Sequence, residues 1–554
     1  MRCNGAEVII RLLEKAGITI VSGIPGGANL PLYDALWRST IRHVLARHEQ
    51  GAGFIAHGMA RSTGRPAVCF ATSGPGATNL VTAIADAKLD SVPIIAFTGQ
   101  VATTMIGSDA FQEVDTYGMT LPITKHSFLV KGARELLKVV PQAFAIAVSG
   151  RPGPVVVDVP KDVQLEEVEI EEWPEMIPEP VYQEIDHGSL QRAARLINGS
   201  KRPVIYGGGG IVASRCQSAL LRLAKKNSIP IALTLMGLGS FPPDDPLYLG
   251  MLGMHGAAST NLVLDEADLV LALGVRFDDR ATGTIRDFCP GASIIHVDID
   301  GSEIHKIRRA DLSIVGDAGR ALEGIFPSVE ENDRHEWRGR ISDIRSSFPS
   351  VPFPTGGSLH PLGVIRTVRL LAPPHAIVCT DVGQHQMWVA QAYTFVKPRT
   401  LLTSGGLGTM GFGLPAAIGA ALANPGCRVL CVTGDGSLQM NIQELATLAE
   451  LSLPVTILVM NNGQLGLVRQ QQELFYGQKY IASRFDLELD FAALGRQFGI
   501  TGFRIGRGRS LKATLERAFS LEGPSIVDIP IGRRENVVPM VPPGAANRDM
   551  IGIG

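Results

Sequence analysis

Short, almost wholly apolar runs recur along the chain, with stretches of helical spacing between them. The first 165 residues carry such runs at 18–22, 67–71, 94–98 and 155–159, and helical patterns at 51–61 and 77–89. Apolar runs without polar alternation predict strands buried on both faces, and helices between them predict a parallel sheet. Further runs at 203–206, 269–273 and 294–297 mark a second unit, and runs at 376–379, 429–432, 455–460 and 525–529 mark a third. The expected fold is α/β, with three doubly wound parallel-sheet domains at 1–165, 188–326 and 360–531 and a tail at 532–554. An acidic, proline-bearing stretch at 166–180 and a Pro/Ser/Gly-rich one at 348–359 read as linkers. The first and third units are alike in size and style, yet no sequence repeat relates them.

A chain of 554 residues exceeds one hydrophobic core, which agrees with three domains. Apolar residues make up 45% and are spread throughout, which excludes disorder. The formal net charge of -2, without a long Lys/Arg run, argues against a nucleic-acid partner. Seven cysteines at irregular spacing, with no Cys-x-x-Cys pair, exclude a disulfide framework and a thiolate zinc site. They fit a reducing cytoplasm. Residues 1–17 read as an amphipathic helix broken by Glu and Lys, not as a signal peptide. The uncharged stretch 400–427 is crowded with Gly, Ser and Thr and leads into a strand. It reads as a buried loop and helix rather than a membrane span.

The sharpest chemical signal is Gly434-Asp435-Gly436-Ser437, followed by Asn462 of Asn461-Asn462. Asp435 and Asn462 each follow an apolar strand, so both are expected at the carboxyl edge of a parallel sheet, where such sheets bind ligands. Carboxylate, amide oxygen and backbone carbonyl are hard donors that suit Mg²⁺, which completes its octahedron with phosphate oxygens and water. Glycines beside the Asp let the backbone approach a diphosphate closely. Tight turns alone would explain either motif separately; the pair at this spacing favours the metal reading.

The pair resembles the diphosphate and metal motif of thiamine-diphosphate enzymes. The resemblance extends through RHEQGAGFIAHGMAR, SGPGATN, GSDAFQEVD, GRPGPVVVDVPKDV, LGMHG, RFDDR, TDVGQHQMW and TSGGLGTMGFGLPAAIGAALA. Together these are similar to the acetohydroxyacid synthase (acetolactate synthase) large-subunit family, most of all to its bacterial isozyme I form. The resemblance implies thiamine diphosphate, Mg²⁺ and a structural FAD as cofactors. It implies that pyruvate is decarboxylated and the resulting hydroxyethyl carbanion condensed with a second 2-ketoacid. Pyruvate as acceptor gives 2-acetolactate and 2-ketobutyrate gives 2-aceto-2-hydroxybutyrate, for branched-chain amino-acid synthesis.

The same resemblance assigns residues. Glu49, which alone would read as a helix-capping acid, contacts N1′ of the aminopyrimidine and shuttles its proton. Gly383, Gln384, His385, Gly436 and Ser437 hold the diphosphate. Asp435, Asn462 and Gln464 ligate the metal. The Gly408 carbonyl accepts from the 4′-amino group, and Met410 is the apolar wedge that bends the cofactor. The glycine run at 207–210 is by itself a weak motif, but Gly207, Gly208 and Gly209 match the family's FAD pattern. So do Thr234, Leu235, Met236, Asp279, Arg280, Asp298, Ile299, Asp317 and Ala318. Around the substrate the match points to Gly27, Ala28, Phe111, Gln112, Lys161, Met254, Arg276, Val382 and Gln471. Among these, Arg276 offers a bidentate match to a ketoacid carboxylate, with an ion pair to Asp278 or Asp279 as the plainer reading.

Because Glu49 and the metal motif lie in different domains, the family resemblance implies an active site shared across a homodimer or homotetramer. It also implies a small regulatory subunit, since this chain carries no amino-acid sensor domain. No membrane partner is expected. The rival readings are a flavin-dependent pyruvate oxidase, another thiamine-dependent carboligase, and a non-catalytic scaffold. One position departs from the family: Gln471 stands where Trp is usual. This predicts weak preference for 2-ketobutyrate over pyruvate.

Overall fold

The computed structural model describes residues 1–176, 183–348, 359–506 and 510–553. The end of the first expected linker, 177–180, and all of the second but its two terminal residues, 349–358, lie outside the described residues. Three six-stranded sheets form, and every strand pairing within them is parallel. Each central strand is an apolar run covered by helices on both faces. Val155–Pro160 and Leu269–Leu273 are buried at every position. Full burial of one Val or Leu side chain contributes roughly 1.5–3 kcal/mol, so these runs can only be central.

The first sheet holds Ile20–Gly23, Arg42–Leu45, Ala67–Ala71, Ile94–Gln100, His126–Leu129 and Val155–Pro160. Numbered by their sequence within the sheet, they lie in the order 2-1-3-4-6-5. The third sheet holds Ile377–Thr380, Leu401–Leu402, Val429–Gly434, Val455–Asn461, Thr501–Arg504 and Ser525–Pro530, and repeats that order. The two units therefore share a topology without a recognisable sequence repeat. The middle sheet differs. Its strands Pro203–Gly207, Ile231–Leu233, Tyr248–Met251, Leu269–Leu273, Ser293–Asp298 and Leu312–Val315 lie in the order 3-2-1-4-5-6. That is the dinucleotide-binding arrangement.

Two helices weld the first unit to the third. Glu49–Thr63 crosses Gly413–Ala423 with their backbones in contact: a Cβ on Gly58 would stand 2.1 Å from Ala416 O, and one on Gly419 2.0 Å from Ile55 O. Phe54 and Phe412 meet edge to face at 5.2 Å beside this crossing. The helix Gly413–Ala423 lies in the uncharged stretch and is buried almost throughout. Among the described residues, no helix is long and apolar enough to cross a membrane.

The acidic stretch after residue 165 is more than a linker. Glu167–Glu169 pairs antiparallel with Arg2–Asn4, and Val168, Ile170 and Met176 are buried. Its acidic residues point outward on alternate positions, so a short edge pairing forms where composition alone suggested none.

Candidate active site

At the carboxyl edge of the third sheet, three adjacent strands deliver their following residues to one place. Ile377–Thr380 runs into 381–385, Val429–Gly434 into Asp435–Leu438, and Val455–Asn461 into 462–464. Asp435 opens its short helix and is 3% exposed. Burial pushes its carboxyl up to about 6, against hydrogen bonds from backbone amides that favour the charged form. One of these is Gln464 N, at 3.1 Å from Oδ2. Asn462 is also buried, and its Nδ2 reaches Gln384 Oε1 at 3.4 Å. Gln384 Nε2 donates onward to Gln470 Oε1 at 2.9 Å and Glu535 O at 2.8 Å.

Two helix N-termini face this corner: Gln384–Ala392 after Gly383, and Asp435–Leu438 after Gly434. Their free backbone N–H groups suit an anion. The glycines there are sterically required. A Cβ on Gly383 would stand 2.9 Å from the His385 ring, one on Gly434 3.0 Å from His385 Nδ1, and one on Gly436 2.7 Å from Leu465. His385 is fully enclosed, which pushes its pKa down to about 3 and leaves it neutral. Its Nε2 is buried without a hydrogen-bond partner. Buried polar atoms without a partner are few in folded proteins, and this one lies beside glycine-lined helix ends. Ser437 Oγ donates to Val382 O at 2.8 Å. A Cβ on Gly408, whose φ is +71°, would stand 4.0 Å from the Val382 side chain. Buried Asp381 accepts Val382 N at 3.0 Å and Gly411 N at 2.8 Å, tying the 408–411 turn to this corner.

Glu49 lies at the start of its helix, 9% exposed, and accepts Asn79 Nδ2 at 2.9 Å. The turn before it is held from the third unit: Glu444 Oε1 accepts Arg47 N at 2.9 Å and His48 N at 3.1 Å. Among the described residues, no hydrogen bond joins Glu49 to 383–385, 408–410 or 435–437.

Against known proteins, the chain matches the "Thiamine pyrophosphate enzyme, N-terminal TPP binding domain" over 3–119, the "central domain" over 190–325 and the "C-terminal TPP binding domain" over 381–529. It is 54% identical to the acetolactate synthase isozyme 1 large subunit of Escherichia coli K12, across 100% of this chain and 98% of that one. The isozyme 2 large subunit of the same organism is 43% identical, over 99% of each chain. The acetolactate synthase large subunit of Corynebacterium glutamicum is 45% identical, over 99% of this chain and 90% of its own. The chain belongs to the acetolactate synthase large-subunit family. As a member of that family it is a thiamine-pyrophosphate-dependent transferase of branched-chain amino-acid biosynthesis.

The synthase's other expected residues fall into two groups. The flavin candidates gather at the carboxyl edge of the middle sheet, after its strands. Gly207 ends the first strand, Thr234, Leu235 and Met236 follow the second, and Asp298 ends the fifth. Thr234 Oγ1 is buried without a partner. Burial pushes the Asp298 carboxyl up to about 6. Asp317 caps the helix Ala318–Ile325, and Ile299 follows the fifth strand. Asp279 and Arg280 are exposed and pair with each other at 3.7 Å. Part of the glycine run answers to packing: a Cβ on Gly208 would stand 2.4 Å from Gly274 O.

The substrate candidates are more scattered. Ala28 N donates to Thr72 Oγ1, and Gly27, Phe111 and Lys161 are exposed. Gln112 sits at a φ of +62° with its carbonyl against Gly74. Arg276 pairs with neither Asp278 nor Asp279; its Nη1 donates to Leu89 O at 2.9 Å. Met254 accepts Val541 N from the tail at 2.9 Å. Gln471 is exposed on Gly466–Phe475, beside fully buried Gln470. The sequence reading did not single out Asn79, Asp381, Glu444 or Gln470. Asn79 and Asp381 stand within the quoted motifs SGPGATN and TDVGQHQMW; Glu444 and Gln470 gave no local signal.

Proposed function

We propose that this synthase joins 2-ketoacids with the division of labour that the strand-end corner suggests. The observation that carries the reading is the convergence of Asp435, Asn462 and two glycine-lined helix N-termini at one strand-end corner, with the His385 ring packed against its glycines. Asp435 and Asn462 would hold Mg²⁺. Gln464, whose side chain is engaged by Arg533 O, would ligate through its own carbonyl. Gly383, Gln384, His385, Gly436 and Ser437 would hold the diphosphate. Thiamine diphosphate supplies the carbanion chemistry when bound. Glu49 holds and returns the proton at the aminopyrimidine, Gly408 accepts from its amino group, and Met410 fills the bend between the rings.

Glu49 makes no hydrogen bond to this corner within its own chain, so a second copy would bring the two together in a homodimer or homotetramer. Exposed Phe111, Leu407 and Met440 suit burial against that copy. One Arg276 nitrogen is engaged by Leu89 O, which leaves other guanidinium donors for a ketoacid carboxylate. FAD would lie along the carboxyl edge of the middle sheet as a structural group. The relatives' designation as large subunits suggests a small regulatory partner for this chain also. Seven free cysteines fit a cytoplasmic setting.

The test is an acetolactate assay on pyruvate with thiamine diphosphate and Mg²⁺, with and without oxygen. Acetolactate formed equally in both is the expected result. Oxygen-dependent consumption of pyruvate without acetolactate would establish the oxidase instead, and no turnover would leave a scaffold.

A further inference from the structure

Two carboxylates stand at the unfavourable end of a helix. Asp86 lies in the last turn of Pro75–Leu89, and Asp90 caps its carboxyl end. The helix dipole disfavours negative charge there, and Asp86 is fully buried besides. Both carboxylates instead serve the 403–409 loop of the third unit. Asp86 Oδ2 accepts Ser404 Oγ at 2.5 Å and Thr409 Oγ1 at 2.7 Å, while Ser404 Oγ accepts Thr409 N at 2.8 Å. Asp90 accepts Gly405 N at 3.0 Å and Gly406 N at 2.7 Å. Arg61 bridges Asp90 at 2.8 Å and Thr403 O at 2.6 Å. Burial pushes the Asp86 carboxyl up, but His57, Ser404 and Thr409 outweigh it and hold it below its usual range.

Thr403 and Ser404 are also held within the third unit, where Thr403 Oγ1 accepts Gln386 Nε2 at 2.7 Å and Ser404 O accepts it at 3.1 Å; the two glycines after them rest on Asp90. Gly405 and Gly406 are exposed, and Gly408 needs a φ of +71°. Glycines this free lose much entropy on ordering. His57, Asp86 and Asp90 could bring ligand atoms within 4.8 Å of one another, as at a metal site. Both Asp90 oxygens and Asp86 Oδ2 are already engaged by donors, however, which leaves only Asp86 Oδ1, 3.4 Å from His57 Nε2. The same helix carries Asn79, the donor to Glu49.

We propose that Asp86 and Asp90 are positioning residues that hold the 403–409 loop, and through it Gly408 and Met410, in the shape that receives the aminopyrimidine. This rests on the reading of Gly408 and Met410 given above. The two carboxylates differ in what can replace them. Asn at 86 keeps an oxygen for both hydroxyls and loses the charge that faces His57 Nε2. Asn at 90 must turn an amide N–H against a backbone N–H.

The test uses the assembled full-length enzyme. Hydrogen–deuterium exchange of the peptide covering 403–410, without cofactor, reads the clamp. Titration with thiamine diphosphate and Mg²⁺, followed by tryptophan fluorescence, reads the consequence. Asp90→Asn should speed exchange and raise the Kd about tenfold, the effect of losing one charge-assisted hydrogen bond. Should Asp90→Asn fail to fold, near-isosteric Thr409→Val should show the same two changes and Thr409→Ser should restore them. Unchanged exchange in Asp90→Asn or Thr409→Val would overturn the clamp. Met410→Ala separates the two ideas. If it weakens cofactor binding while Asp90→Asn speeds exchange without changing the Kd, the positioning role is wrong. If Met410→Ala also leaves the Kd unchanged, the assignment of the loop itself is wrong.

Discussion

Asn79 Nδ2 donates to Glu49 Oε2 at 2.9 Å, joining the starts of two neighbouring helices of the first unit. The bond directs one carboxylate oxygen toward the protein and leaves the other for a partner. Glu49→Gln keeps the shape and loses the ability to pass a proton. Bound thiamine diphosphate should exchange its C2 proton at least a hundredfold more slowly in this variant, with cofactor affinity nearly retained. Hydrogen–deuterium exchange at C2 is the measurement, and wild-type rates would remove Glu49 from its role.

Asp435→Ala removes the one carboxylate among the proposed metal ligands. Mg²⁺ and thiamine diphosphate affinity should fall together, by about tenfold or more. FAD content should stay unchanged, because its candidate site lies on another sheet. Titration of each cofactor separately checks both halves; unaltered thiamine diphosphate affinity would refute the assignment.

Asp158 links stability to pH. Burial pushes its carboxyl up to about 7, against bonds from Thr98 and Gln100, with Asp115 raising it further. Between about 4 and 7 the unfolded chain has released this proton while the folded chain keeps it. Stability therefore falls as pH rises through that window. Asp158→Asn holds the neutral state at every pH: its Nδ2 can donate to Thr98 Oγ1 and its oxygen can accept from Gln100. The melting temperature at pH 8 should rise above wild type, and the slope between pH 5 and 8 should flatten. A lower melting temperature at pH 8 would contradict this.

Gly58 allows the helices Glu49–Thr63 and Gly413–Ala423 to touch. A Cβ 2.1 Å from Ala416 O has no flexible side chain to displace, so the two helices must part. Gly58→Ala should cost about 1–3 kcal/mol, read as a fall in melting temperature. Gly339, with open space around it, is the control position: Gly339→Ala should leave the melting temperature near wild type.

Gln471 is exposed on its helix, free to meet a ligand that enters from outside. One methylene in an apolar pocket is worth roughly 1–3 kcal/mol of discrimination, which a polar amide does not supply. Pyruvate should compete well with 2-ketobutyrate as acceptor in wild type, and Gln471→Trp should shift products toward 2-aceto-2-hydroxybutyrate. A competition assay with both acceptors decides it; no shift in the variant would place Gln471 away from the substrate.

The amino-acid order by itself determined the fold class, because a strand buried on both faces must be written as a nearly unbroken apolar run. Ala67–Ala71, Leu269–Leu273 and Val155–Pro160 are legible for that reason. The strands it left unread are mostly sheet edges: Arg42–Leu45, His126–Leu129, Tyr248–Met251, Leu312–Val315, Leu401–Leu402 and Thr501–Arg504. Five of these are partly exposed and carry mixed residues, Leu401–Leu402 is only two residues long, and the fully buried inner strand Ile231–Leu233 is only three. The placement of Asp435 and Asn462 at strand ends was likewise written locally, by glycine and asparagine following an apolar run. Only the tertiary structure decided what surrounds them. Glu444 meets Arg47 and His48 across nearly 400 positions, Asp86 meets Ser404 across 318, and Gln384 meets Gln470 across 86. Periodicity records which face of an element is buried, but not which distant element covers it. Carboxylates at a helix carboxyl end look like surface charge until the chain folds a donor-rich loop onto them.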